Sequence, residues 1–598
     1  MKTKFVKRAV AIVMVLVMLS ASANFSASAA QPEFPPEVQS ILDIFDAAFG
    51  SFRQIEITPE AQALVLEDFD YLVYKILATI PTIGVAERLF EISLEEYFAM
   101  WRQVVVNNVP LPALGGELEL LDSRWVDTPN DPRYIAADYT FSLMLGMLDL
   151  GLGSFAHLGV QPLMMYEILI MIAAWFMDED NIAMLEELYG PDYRQSADHN
   201  INAALYEIIT RPATAWLYGV RPEDLDLDMT FDELFFEIGD TAPDNITTKI
   251  IEEGRIAYFQ IDSFMNSPEY DFETLLPFFE EIQYYEHLII DLRGNLGGLA
   301  IYFPILASIL ANETLSFRHY EFFRAHPSTA VWFDNPNPII NSLGSTLYDV
   351  VPAAQLVQSH NFTHFARGDL AYLDYVLIWD VVIEPFEYED YNLAFGGEIW
   401  MLVDEMSMSA SQQAALTAVA TGFATVVGEP TSQISAVTYT FLSLPNSGVL
   451  IRTDLGLTID PQGRALEETG VIPDIANLPG MDALETLLYL LATDADIATI
   501  IAETTAVAPP ITPVPEPVFA FDPFALVRRV YHNGSWEYVH LRIAAYAHDA
   551  TVEWDGENNA VILTLADGTV RSLPMDDYLI NLDGTIILAL EEARRVFA

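Results

Sequence analysis

The chain has 598 residues, of which 27 are basic and 86 acidic, for a formal charge of -59; 52% are hydrophobic and none is cysteine. The absence of cysteine excludes a disulfide scaffold, a thiol nucleophile, thiolate zinc sites and cysteine-ligated iron–sulfur clusters. The acidity argues against nucleic acid as a partner and disfavours anionic membrane surfaces, because both are bound through Lys and Arg, while the 12% aromatic share points to a packed core rather than a disordered polyanion.

Lys2, Lys4, Lys7 and Arg8 precede an apolar run at 9–18, and small residues follow, with Ala27-Ser28-Ala29 as a cleavage site. Residues 1–29 therefore read as a signal peptide, and the expected location is secreted or cell-surface. The run is shorter than the roughly 20 residues that span a bilayer. Residues 31–155 read as a helical domain, with apolar side chains at three- and four-residue spacing in 69–77 and 94–105. Residues 156–253 form a helical connecting region without the signature of a binding module.

From 254 to 500 apolar strands alternate with helices, the mark of parallel strands joined by crossovers. Strands are expected at 255–261, 287–292, 398–403 and 424–427, and helices at 272–285, 299–311 and 409–420. Between 312 and 397 the text reads as an irregular, aromatic-rich insertion. Residues 501–523 form an extended linker, since Pro509, Pro510, Pro513, Pro515, Pro517 and Pro523 each fix φ. A small domain follows at 524–598, read as helix, strand, turn and strand, with the turn at Trp554-Asp555-Gly556.

Two stretches carry chemistry: Leu288-Ile289-Ile290-Asp291-Leu292-Arg293-Gly294-Asn295-Leu296-Gly297-Gly298 and Val403-Asp404-Glu405-Met406-Ser407-Met408-Ser409-Ala410-Ser411. Each leads from a buried strand through a turn to a helix, and ligands of α/β sheets sit beyond the carboxyl ends of strands. A serine opening a helix lies beside free backbone N–H groups and the positive end of the dipole. Gly297 and Gly298 allow close backbone approach to a carbonyl. The pattern suits acyl transfer. Taken singly, Ser409 reads as a helix cap, and Asp291 with Arg293 as a loop brace.

These stretches resemble the "IIDLRGNxGG" and "SASAS" segments of the S41 peptidases, which include the C-terminal processing proteases and the tricorn-type proteases. Gly254-Arg255-Ile256-Ala257-Tyr258 is similar to the family's "GRIGY", Val427-Gly428-Glu429-Pro430-Thr431 to "VGEPT", and Glu467-Glu468-Thr469-Gly470-Val471-Ile472-Pro473-Asp474 to "ExxGVxPD". Asp68-Phe69-Asp70-Tyr71-Leu72 resembles the family's N-terminal helical region. The resemblance implies an α/β fold with a ClpP/crotonase-like β/α superhelix, and Ser409 as nucleophile. Residues 541–544 and 550–556 resemble the small domain named after the N-terminal domain of copper amine oxidases, a name that implies no copper.

The processing proteases take their base from a Lys after "GEPT". Here that stretch reads Thr431-Ser432-Gln433-Ile434-Ser435, and no Lys follows Lys249. The tricorn-like branch uses an upstream His and the Glu of "ExxG", and the matching positions are His157 and Glu467. The family further implies oxyanion donors at the N–H of Ala410 and of Gly297 or Gly298. The expected protein is an exported serine endopeptidase acting on peptide or protein substrates, with a Ser–His, Glu-assisted acyl-enzyme mechanism and no metal or cofactor. The alternative is a catalytically inactive relative that binds peptides or cell-envelope polymers, a reading favoured by the missing Lys and by Gln412 where the family usually has Glu. The oligomeric state is not written in the sequence.

Overall fold

Thr58 opens the first long helix: its Oγ1 accepts from Ala61 N at 3.2 Å, and Pro59 occupies a first-turn position where a missing N–H costs nothing. In this computed structural model the described residues are 52–492, with breaks of which the longer are 122–130, 226–244, 330–347 and 387–392, together with 38–40, 42–43 and short stretches between 528 and 596. The expected signal peptide and proline-rich linker lie outside them.

β1 (Gln54–Ile55) is followed by α1 (Pro59–Thr79), α2 (Ile83–Phe90) and α3 (Leu94–Val106), then by β2 (Leu111–Pro112), which pairs antiparallel with β1. Ala61, Val65, Phe69, Leu72 and Ile76 form the buried stripe of α1 at the spacing that makes a helix amphipathic. α4 (Pro132–Met144), capped by Asp131, runs into one π-helical turn at Leu145–Leu150 and a 3-10 turn at Phe155–His157. β3 (Gly159–Val160), α5 (Leu163–Met177), α6 (Glu179–Tyr189), α7 (Ala197–Ile209) and α8 (Pro212–Tyr218) complete the helical part. Among the described residues no single helix is long and apolar enough to cross a membrane; the pair α1 and α2 passes only jointly and is bent by 108°.

Next come β4 (Ile246–Glu252), β5 (Ile256–Ile261), α9 (Pro268–Ile282), β6 (His287–Asp291) and α10 (Tyr302–Leu310). β7 (Leu315–Phe323), β8 (Tyr348–Pro352), α11 (Ala353–Ser359) and β9 (Tyr375–Ile383) follow, then β10 (Glu398–Val403), α12 (Ala410–Thr421) and β11 (Thr425–Gly428). The last are β12 (Tyr439–Ser443), β13 (Leu450–Asp454), β14 (Gly456–Ile459), α13 (Leu466–Thr469), β15 (Ile475–Ala476) and α14 (Ala483–Ala492). The main sheet has the order β15-β11-β10-β6-β5-β4, parallel throughout except for the antiparallel edge strand β4. Its inner strands are near-continuous apolar runs because helices cover both faces. The α/β class matches the expectation, and the architecture is consistent with a ClpP/crotonase-like core.

Two further sheets depart from the sequence reading. The stretch expected to be irregular builds most of an antiparallel sheet of order β14-β7-β9-β8, with nine-residue β7 paired to β9 along its whole length. Burial alternates along Tyr375–Ile383 from Leu377 onward, but the half-buried positions Ile378 and Val382 are apolar as well, so the sequence shows a nearly continuous apolar run without the period-two alternation that marks a half-exposed strand. The second is the three-stranded sheet β12-β13-β3, in which two residues just after His157 pair with a hairpin nearly 300 positions later: Gly159 opposite Arg452 and Val160 opposite Ile451. Near the C-terminus the described strands form an antiparallel trio over 551–574 and a four-stranded sheet over 528–589. Thr551–Asp555 and Ala560–Thr564 are the two strands expected there, while the expected helix lies outside the described residues.

Candidate active site

The turns after β6 and β10 are fastened side by side. Ser407 Oγ donates to Leu292 O at 2.8 Å, Met408 N to Asn295 O at 3.1 Å, and Gly294 N to Asp404 Oδ1 at 3.0 Å. Asp291, 1% exposed, holds the first turn by taking Arg293 Nη2 at 2.6 Å and the Tyr258 hydroxyl at 2.9 Å. The Asp291 and Arg293 pair is thus the brace that the sequence allowed. Parallel strands bring the two turns to the same edge of the sheet, and these hydrogen bonds set their register.

Ser409 sits at the junction between this loop and α12 with φ 54° and ψ -120°, a conformation that side chains with a Cβ rarely adopt. Its backbone N–H donates to Ile434 O at 2.9 Å. Its hydroxyl makes no capping hydrogen bond, so the cap reading of this serine fails in its simplest form. Gly297 packs directly on it: a Cβ there would lie 3.0 Å from Ser409 Cβ, 2.9 Å from Ala410 N and 2.7 Å from Met408 O. Close approach, together with φ of +88°, requires glycine at this position.

Among the three backbone donors expected for an oxyanion, the structure divides the roles. Gly297 N–H is spent on Asn295 Oδ1 at 2.8 Å, and Asn295 Nδ2 in turn donates to Ile261 O at 2.9 Å. The N–H groups of Ala410, at the first turn of α12, and of Gly298 donate to no described group.

His157 lies at the end of the 3-10 turn before β3. Ala156 and His157 both have left-handed backbones, φ 53° and 49°. Two consecutive non-glycine residues in that region store strain of order 1–3 kcal/mol each. The turn projects the ring onto β13, where Nδ1 lies 2.7 Å from Asp454 Oδ2. Asp454 is fully buried and His157 is 13% exposed at its side chain. Burial pushes His157 well below its ordinary value, and nearby Arg452 adds to this, so the ring is neutral at neutral pH. Burial pushes the Asp454 carboxyl up, while Arg452 opposes that shift. A carboxylate on Nδ1 fixes the tautomer and leaves Nε2 as the basic nitrogen.

Glu467, expected to orient His157, does not touch it. It is fully buried in α13, and Thr458 N of β14 donates to its Oε1 at 3.3 Å. The acidic partner of the ring is Asp454, a residue absent from the sequence reading. A carboxylate closing the alternating stretch Leu450-Ile451-Arg452-Thr453-Asp454 was the available signal. Ser409 and His157 are not hydrogen-bonded to one another in this structure. The chain connects them: Ile434 accepts from Ser409 N, and five residues later Tyr439 stands opposite Asp454 in the β12–β13 ladder. Gln412, on the first turn of α12, is fully buried with neither amide atom hydrogen-bonded.

Residues 255–477 match the model of peptidase family S41. No curated protein matches the chain. Similar solved structures include mature CPAF, 13% identical with a TM-score of 0.39, covering 75% of this chain and 99% of that one. The photosystem II D1 C-terminal processing protease is 15% identical with a TM-score of 0.25, covering 42% and 53% of the two chains. The tricorn protease is 17% identical with a TM-score of 0.21, covering 42% of this chain and 18% of its own length.

Proposed function

We propose that the protein is an exported serine endopeptidase in which Ser409 is the nucleophile, His157 its general base and Asp454 the acid that orients the ring. The observation that carries this reading is the buried pair of His157 and Asp454, presented by a strained turn of the kind that persists only where surrounding structure holds it. Ser409 Oγ attacks the scissile carbonyl carbon and its proton passes to His157 Nε2. The carbonyl oxygen becomes an oxyanion that accepts from the N–H of Ala410 and Gly298. The same proton then goes to the leaving amine as the C–N bond breaks, and water repeats the cycle on the acyl-enzyme. Catalytic hydrogen bonds are often loose without substrate, so this reading requires the His157 turn and the Ser409 loop to close on the bound peptide. Export rests on the basic, apolar and small-residue order of the first 29 residues.

The test is degradation of casein by the purified mature protein beside Ser409→Ala and His157→Ala, with mass spectrometry of the fragments. Cleavage abolished by both substitutions, with thermal unfolding unchanged, supports the reading; wild-type behaviour equal to Ser409→Ala overturns it. That second outcome promotes the non-catalytic peptide or envelope binder, which the missing Ser409–His157 hydrogen bond and the unpartnered Gln412 amide favour. N-terminal sequencing of the exported protein, expected to begin at Ala30, tests the signal peptide.

A further inference from the structure

Arg452 is the residue of the site that the proposed mechanism leaves unused. Side chains alternate across a strand, so in β13 Leu450, Arg452 and Asp454 point to one face and Ile451 and Thr453 to the other. Arg452 therefore shares a face with Asp454, and both Asp454 and His157 lie within reach of its charge. Its guanidinium stacks on the Tyr439 ring at 4.7 Å, on the neighbouring strand β12. Its Nε is buried and has no hydrogen-bond partner, although the side chain as a whole is only half-buried.

A chain with 86 acidic residues has carboxylates to spare, and Arg53, Arg88, Arg102, Arg194, Arg255, Arg293, Arg318 and Arg464 all pair with one. Arg452 has no ion pair among the described residues. Of the carboxylates of the same region, Asp454 pairs with His157, and Asp149, packed against Gly159, accepts from the N–H of Val160 at 3.1 Å. The strand opposite contributes Gly159, which puts no side chain against Arg452. A guanidinium prefers a planar, two-point acceptor, and its aromatic stacking leaves the edge of the fork available for one.

We propose that Arg452 receives a carboxylate of the bound peptide, next to the His157–Asp454 pair, and so makes the protein selective for acidic substrates. The proposal rests on the peptidase reading for its setting. A formal charge of -59 repels anionic peptides at long range, so a carboxylate is welcomed only where a local cation outweighs that field. The carboxylate belongs either to a Glu or Asp side chain or to the free C-terminus of the peptide.

The experiment measures binding rather than cleavage, so it survives failure of the catalytic reading. Dansylated tetra-alanine with a free C-terminal carboxylate is compared with its amide, and an amide-capped peptide containing one Glu with its Gln counterpart, by fluorescence anisotropy on Ser409→Ala. At about 0.15 M salt, one carboxylate peptide is expected to bind at least about tenfold tighter than its neutral twin, the worth of a charge-assisted hydrogen bond. The pair that shows the preference tells side chain from C-terminus. Adding Arg452→Gln removes the preference, and Arg452→Lys, which keeps the charge and loses the fork, retains only part of it. Equal binding of each pair, or a preference that survives Arg452→Gln, overturns the proposal. Should Arg452→Gln fail to fold, free glutarate competing against the acidic peptide, with glutaramide as control, decides the matter on the Ser409→Ala chain alone: no competition overturns it. If Arg452 serves only to tune His157, its replacement moves the pH profile of cleavage and leaves the carboxylate preference untouched, which also overturns the proposal.

Discussion

His157 Nδ1 lies 2.7 Å from Asp454 Oδ2 although 297 positions separate the two residues, because β3 adds to the edge of the β12–β13 hairpin. Under the proposed mechanism this contact assigns to Asp454, rather than Glu467, the task of setting the tautomer of the ring. Asp454→Asn is expected to lower kcat by about 100- to 10,000-fold with KM little changed, since the amide stabilises the wrong tautomer and cannot balance an imidazolium. Glu467→Gln, which perturbs the contact with Thr458, is expected to lower the unfolding temperature and to spare kcat of the folded protein. Steady-state kinetics and thermal unfolding of the two variants check this, and the reverse pattern would return the role to Glu467.

The pH dependence follows from the direction of the His157 shift. The neutral ring is the base, and burial depresses its affinity for a proton, so activity extends to pH values below the ordinary imidazole value of about 6.5. The acid limb of kcat/KM is expected below that point. Stability has the matching sign: in the unfolded chain this histidine binds a proton below about pH 6.5 while the folded form resists it, so its contribution is present above that value and is lost as pH falls. The difference in unfolding free energy between wild type and His157→Asn, followed from pH 8 to 5 by urea titration, is expected to shrink toward acid.

Gly297→Ala places a methyl group 2.7 Å from Met408 O and 3.0 Å from Ser409 Cβ at a φ of +88°. Backbone must shift on both turns, and strain of about 1–3 kcal/mol is expected. Loss of cleavage should exceed the loss of stability, because the displaced groups are Met408, Ser409 and Ala410, the loop that carries the proposed nucleophile. Kinetics beside circular dichroism of the same sample separate the two; an active Gly297→Ala protein would show that the close packing is incidental.

Asp68 in α1 is 1% exposed and accepts from Asn446 N and Ser447 N, both at 2.8 Å, so the helical part grips the tip of the hairpin that carries Asp454. Asp68→Ala leaves two amides without their acceptor and is expected to cost about 2 kcal/mol or more of stability. Burial raises this carboxyl above its ordinary value, so the folded chain takes up the proton before the unfolded chain does, and the contribution of this group to stability is larger at acid pH and falls as pH rises through the raised value. Denaturant unfolding of Asp68→Ala and Asp68→Asn checks the magnitude; unchanged stability in both would assign the hairpin tip to other contacts.

Local pattern made much of this protein legible before any coordinates. The apolar runs of β5, β6 and β10 and the glycine turn at Gly297 and Gly298 announce a parallel core, and the strand 398–403 falls where the sequence placed it. The helical beginning was equally clear from the three- and four-residue spacing inside α1 and α3. The sheet built from β7, β8, β9 and β14 was not, since apolar residues fill the half-buried positions of β9 as well as the buried ones, which hides the alternation, and its pairings run between distant segments.

What the sequence by itself determined is the class of chemistry: a serine at a strand–helix turn beside a Gly-Gly turn, a chain without cysteine, and no lysine after Lys249 to serve as base. Only the tertiary structure decided which acid meets His157, which of two neighbouring glycine amides remains unspent, and that Arg452, beside this pair, has no ion pair among the described residues. The physical reason is the same in each case. A backbone turn is written in adjacent residues, whereas the partner of a buried polar group is chosen by whichever strands happen to pair, and burial makes that choice costly to leave unmet.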